Sequence, residues 1–259
     1  MKERPNLTQF MEQLIRALKE EERFSTAHIY QSTLNALRLF CKADVIRFNQ
    51  MDRSRLKQFE SHLRNKGCAW NTVSTYMRTL RSTYNKAVDE GLAEEKPRLF
   101  RHVYTGVKAN TKRALDAGDM NKLLKAPLPQ SLSQSLEKSR AWLTLMFLLR
   151  GMPFVDLAYL HKKDLQDSVI SYRRHKTGTL LTGEVPPTAM KLIQQYKSMD
   201  ADSPYLFPIL SGNRENKEEY IEYQHALRKL NYDLKQLAVY CSIKFNVSSY
   251  TAKHHTISI

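Results

Sequence analysis

Apolar residues recur at helical spacing through the N-terminal third of the chain. Phe10, Leu14, Ile15 and Leu18 form the stripe of an amphipathic helix opening at Leu7. Ser25 and Thr26 offer hydroxyls to cap a second helix, with Ile29, Leu34, Leu37 and Phe40 inward. A third runs from about Asp52 through Leu56, Phe59 and Leu63 to Lys66-Gly67, where glycine suits a C-terminal cap. A fourth begins near Asn71-Thr72 and stops at Gly91, with Val73, Met77, Leu80 and Tyr84 at i, i+4, i+7 and i+11. Four helices with short loops predict a small bundle over residues 1–94. Residues 95–112 hold Pro97, Gly106 and five Lys/Arg with no period, which predicts a basic linker.

The pattern then changes. Leu115-Asp116-Ala117-Gly118-Asp119 caps a new helix, and Trp142 to Leu149 reads as a buried one. Ser168–Tyr172 and Thr179–Val185 carry strand signals on either side of a turn at Lys176-Thr177-Gly178. Pro186-Pro187 ends the second strand, and helical patterns fill the remainder. Residues 113–259 therefore predict a mostly helical domain with one small antiparallel sheet, and the whole chain a mainly α fold in two domains.

Composition narrows the function. The chain is 42% hydrophobic, enough to bury a core and to exclude global disorder. No run approaches the roughly 18 apolar residues of a membrane span. Met1-Lys2-Glu3-Arg4-Pro5 leads into a polar helix rather than an apolar signal region, so a cytoplasmic protein is expected. Cys41, Cys68 and Cys241 fit neither a zinc spacing nor a disulfide framework and read as reduced thiols. Net charge is +15, with 20 Lys/Arg against 12 Asp/Glu in residues 1–110 (+8) and 21 against 14 in residues 111–259 (+7). Such an excess, spread over both halves, points to a polyanion partner.

The fourth helix gives that partner a surface. Off its apolar stripe lie Thr72, Thr75, Arg78, Thr79, Arg81 and Lys86. Short hydroxyls interleaved with long cations suit phosphate and groove contact, so this face is expected to bind duplex DNA rather than serve as a merely solvated charged face.

Three further stretches share an order. Leu148-Leu149-Arg150-Gly151-Met152-Pro153-Phe154-Val155-Asp156-Leu157 comes first, then Arg173-Arg174-His175-Lys176-Thr177-Gly178 at the hairpin turn, then Tyr250-Thr251-Ala252-Lys253-His254. With the basic helical unit and linker before them, they resemble the tyrosine recombinases of the phage-integrase family, of the type found in integrases and invertases of anaerobe mobile elements. The resemblance covers essentially the whole chain. It implies an N-terminal SAM-like core-binding domain, a catalytic domain, and DNA strand exchange without a cofactor. In the family a tyrosine hydroxyl attacks a backbone phosphodiester, arginines grip the non-bridging oxygens, and a hairpin lysine protonates the leaving hydroxyl.

Carried onto this chain, the resemblance makes Lys176 the general acid and sets Asp156 behind the pocket. Pro153 stands where the family has its first arginine. Arg174, two residues before the lysine, or Arg150, one helical turn from Pro153, is left to replace it. The second box, His-x-x-Arg in the family, reads Tyr250-x-x-Lys253. Lysine there keeps the charge and loses the planar fork. Tyr250 belongs to this box and is not the nucleophile. The third box and the nucleophilic tyrosine find no place before Ile259, so the chain is expected to be C-terminally incomplete, to bind DNA and not to cleave it. The family forms a tetramer on DNA; this chain is expected as a monomer or weak dimer in solution, with apolar surface near its last helix exposed. Three alternatives stand beside this reading: an enzyme using an earlier tyrosine, a non-catalytic regulatory or architectural DNA-binding protein, and a helical RNA-binding scaffold.

Overall fold

The computed structural model describes residues 5–106, 115–127 and 134–252. It divides into two compact units, residues 1–110 and 111–259, each with a core of its own.

In the first unit, α1 (Leu7–Glu20) starts on a capping box: Asn6 accepts from the Gln9 N–H, and the Gln9 side chain accepts from the Asn6 N–H. α2 (Phe24–Cys41) begins on Arg23 without a side-chain cap. Ser25 and Thr26 therefore lie inside the first turn rather than capping it, and Ile29, expected inward, is 38% exposed. α3 (Arg53–Asn65) is capped by Asp52 and ends before Gly67, whose φ of +79° explains the glycine. α4 is Trp70–Asp89. Phe10, Met11, Leu34, Phe59, Val73 and Met77 fill the space between the four helices.

The stretch expected as a linker is not free over its first part. Leu99, Phe100 and Val103 are buried in the core of the first unit. The Lys96 ammonium donates to the Met51 carbonyl at 2.8 Å, and the Tyr84 hydroxyl to that of Glu94 at 2.9 Å. Glu60, itself buried, accepts from the Tyr104 N–H at 2.6 Å and pairs with Lys57. Trp70 and Tyr104 meet edge to face at 5.1 Å. The absence of periodicity in residues 95–106 reflects turns, not detachment.

In the second unit, α5 (Ala117–Lys125) is capped by Asp116, and α6 (Gln134–Leu148) carries Leu143, Leu145 and Met146 into the core. Arg150 (φ +58°) and Gly151 (φ +74°) form a left-handed bend, after which α7 (Phe154–Ala158) begins on Pro153. Arg150 and Pro153 consequently do not share a helix turn, contrary to the sequence expectation. β1 (Leu165–Gln166), β2 (Val169–Arg173) and β3 (Leu180–Glu184) form an antiparallel sheet in sequential order, with Ser171 opposite Thr182. α8 (Pro187–Tyr196) and α9 (Asn216–Tyr240) complete the unit. Buried Asp233 on α9 accepts from the hydroxyls of Ser135 and Ser139 at 2.6 and 2.7 Å, joining α9 to α6. Toward and beyond its C-terminal end α9 leaves Tyr232, Val239, Tyr240 and Phe245 exposed. No helix among the described residues is long and apolar enough to cross a membrane.

Glu60→Ala strands the Tyr104 N–H. Chemical denaturation should show a loss of about 1–3 kcal/mol, and tryptic cleavage after Arg98 and Arg101 should accelerate. Unchanged stability with unchanged proteolysis would show that Glu60 does not fix this segment.

Candidate phosphate-binding site and basic helix face

β2 and β3 are joined by the turn Arg174–Thr179. The Arg174 N–H donates to the Thr179 carbonyl, and the Gly178 N–H returns to the Arg174 carbonyl, both at 2.8 Å. Gly178, at φ +67°, permits that closure. A second element holds the turn from below. Asp156, in α7, is 3% exposed and accepts from the His175 N–H at 3.0 Å. Its other oxygen lies 3.8 Å from Arg174 Nε and makes no hydrogen bond among the described residues. The His175 ring rests against Tyr159 with centroids 4.6 Å apart. Turn and helix are thus tied by a carboxylate and by ring packing, and the Arg174 side chain, one-third exposed, leaves the tie pointing outward.

Beside the turn lies a cleft of about 370 Å³, lined by Arg150, Pro153, Tyr172, Arg174, Leu181 and Glu184 among others. The left-handed bend brings Arg150 there, opposite the hairpin that delivers Arg174. Two guanidiniums around one cleft can grip an oxyanion at several points. Lys176 sits fully out on the turn and does not line the cleft. Tyr250 is exposed in the segment after α9 and is not among the residues that line the cleft. In that segment the Ser249 N–H donates to Asn231 Oδ1 at 2.8 Å, while Thr251 and Ala252 are buried. Lys253 falls outside the described residues.

Sequence reasoning missed the aromatic bed under the hairpin. Tyr159 packs against Tyr205 and Tyr223, and the Tyr205 hydroxyl bonds Glu219. Burial, reinforced by the nearby glutamates, pushes the phenols of Tyr159 and Tyr205 well above the ordinary range. Burial likewise raises Tyr172 and Tyr223 to about 12. A phenol so shifted is harder to ionise and is the opposite of an activated nucleophile. The missed signal was the recurrence of tyrosine at 159, 205 and 223, which no local period connects.

On the first unit, Arg78, Arg81 and Lys86 are exposed on α4, and none forms an ion pair among the described residues. A groove of about 600 Å³ between α2 and α4 is lined by Thr26, Ile29, Tyr30, Thr75, Arg78 and Arg81 among others. The Tyr30 hydroxyl donates to Ser82 across it at 3.3 Å. The threonines correct the expectation of a hydroxyl-bearing outer face. Thr79 is buried and its hydroxyl donates to the Thr75 carbonyl, as that of Thr75 does to Asn71. Thr72 and Lys86 do not line the groove.

Burial raises the Asp156 carboxyl above its ordinary value, although His175 and Arg174 pull it down. The folded state then holds this proton more tightly than the unfolded chain, so Asp156 favours folding at low pH. That contribution is lost as pH rises through the elevated folded value. Asp156→Asn should flatten this part of the stability–pH curve, read from denaturant midpoints across the acid range. A curve of unaltered slope would remove Asp156 from the titration.

Residues 6–103 match the phage integrase SAM-like domain. Across nearly the whole chain the fold is similar to that of solved integrases. A lambda integrase dimer bound to a COC′ core site is 14% identical, with a TM-score of 0.68 over 94% of this chain and 82% of that one. The Tn1549 transposon integrase, in complex with a circular intermediate DNA, is 15% identical, with a TM-score of 0.63 over 97% and 85%. A lambda integrase tetramer bound to a Holliday junction is 15% identical, with a TM-score of 0.61 over 96% and 76%. No curated protein matches the chain. The N-terminal unit thus matches a phage integrase SAM-like domain, and the fold of the chain is similar to that of solved integrases.

Proposed function

We propose that this protein binds duplex DNA as a recombinase does, and that its described residues hold a backbone phosphate without cutting it. The observation that carries the reading is the meeting of Arg150 and Arg174 on one cleft, beside a hairpin turn fixed by Asp156. Arg174 and Arg150 take the non-bridging oxygens. Lys176, exposed on the turn that carries Arg174, is the candidate general acid for a leaving 5′-hydroxyl. The exposed cations of α4 and the +15 net charge supply attraction to the rest of the backbone. The DNA complexes of lambda integrase and of the Tn1549 integrase support the partner by likeness of fold.

Cleavage requires more than this site offers. Pro153 stands at the place of the family's first arginine and has no donor. Tyr159, Tyr205 and Tyr223 carry phenols raised by burial, the first two beside glutamates as well, so none is poised to attack. Binding without chemistry also suits a regulatory or architectural DNA-binding protein, and the loss of the arginine at Pro153 favours that second reading over an enzyme using an earlier tyrosine.

Duplex binding should weaken steeply with salt. Arg78→Gln combined with Arg81→Gln should lower the slope of log K against log salt by about two, at roughly 0.9 for each phosphate no longer neutralised. An unchanged slope would remove this helix face from the interface. On a nicked suicide duplex no protein–DNA adduct should survive denaturation. A stable adduct would overturn the non-cleaving reading and call for mapping of the modified tyrosine.

A further inference from the structure

A second basic surface adjoins the groove between α2 and α4. A pocket of about 620 Å³ lies between α4 and the turns that follow it. Arg81, Lys96, Arg98 and Arg101 line it against only two carboxylates, Asp89 and Glu95. Arg98 and Arg101 are exposed, and neither forms an ion pair among the described residues. Both arginines stand on fixed backbone. Arg53 donates to the Pro97 carbonyl at 2.6 Å, the Lys96 ammonium binds the Met51 carbonyl, and Leu99 and Phe100 are buried between them. The pocket and the α2–α4 groove share Arg81 and Asn85. Along α4 the positions Arg78, Arg81, Ser82 and Asn85 follow i, i+3, i+4 and i+7 and are all exposed. They form one stripe about 10 Å long, at 1.5 Å per residue, which runs from the groove into the pocket.

We infer that the turn carrying Arg98 and Arg101 is itself part of the duplex-binding surface. It holds backbone phosphates beyond those met at the α2–α4 groove, with Arg81 serving both. This inference rests on the duplex-binding reading and extends its footprint to a segment that the sequence presents as a connector. A connector free to move would spend conformational entropy to order each arginine on binding. Here the backbone is already ordered, so only the side-chain rotamers of each arginine remain to be fixed on binding. The occupant is a sugar-phosphate backbone: guanidiniums spaced along one stripe match a repeating anion, and the pocket opens into the groove rather than closing around a small molecule.

The test is the salt dependence of binding to a short mixed-sequence DNA duplex, followed by fluorescence anisotropy on the full chain. Arg98→Asn combined with Arg101→Gln is suitable, because asparagine tolerates the left-handed backbone of residue 98 (φ +57°). The double variant should lower the slope of log K against log salt by about two, and Arg101→Gln alone by about one, at roughly 0.9 per phosphate. Thermal unfolding of the single variant should match the parent, which places its weaker binding at the DNA interface and not in the fold. If the parent binds with a steep slope and both variants keep it, the inference fails while the duplex-binding reading stands. If the parent shows no salt-dependent duplex binding, or prefers structured RNA, the reading beneath the inference fails with it.

Discussion

One buried carboxylate organises the hairpin side of the second unit. Asp156 gives one oxygen to the backbone of the hairpin turn and sets the other near the Arg174 guanidinium. Taking a carboxylate out of water is costly, and only a nearby positive charge and a hydrogen-bonded N–H offset that cost. Bringing the turn down onto α7 offsets part of that cost: one oxygen accepts from the His175 N–H, and the other lies 3.8 Å from Arg174 Nε without a hydrogen bond among the described residues. Replacing the pair by apolar residues would pack as well and would leave the turn without a fixed height above the helix.

The sheet and the bend at Arg150 cooperate in this. A two-residue strand, β1, turns through Asp167 and Ser168, both with positive φ, into β2. That turn contains no glycine or asparagine, which is why the sequence pattern did not reveal it. The Arg150–Gly151 bend presents the same difficulty: a helical reading through Leu149 extends naturally to Pro153, and only the backbone shows that the chain reverses at an arginine. The Arg150–Gly151 bend lies among the residues that line the cleft. Local propensity fails where the chain adopts conformations its residues do not prefer.

Elsewhere the sequence was legible because the signals are local. Asp52 and Asp116 cap helices where their side chains can reach an N–H three residues on. Gly67, Gly91 and Gly178 stand at left-handed positions, and the helical stripes of α1, α3 and α4 are the buried ones. What remained hidden depends on distant partners. Ile29 reads as core until α4 is seen to leave a groove beside it. Residues 95–106 read as linker until Glu60, some forty positions earlier, is found bonded to Tyr104. Among the candidate site residues, the hairpin and its arginine could be placed from the turn sequence. The burial of Thr79 and the tyrosine bed under the hairpin required the tertiary contacts.

The two hydrophobic cores share no residue: one is built from positions up to Val103, the other from Leu115 onward. With a core in each unit, two-state melting of the whole chain is not a given. A ligand held by one unit raises that unit's transition by mass action. Heat capacity traces recorded with and without a polyanion would then report which half of the molecule takes the load, without any need to cut the two apart.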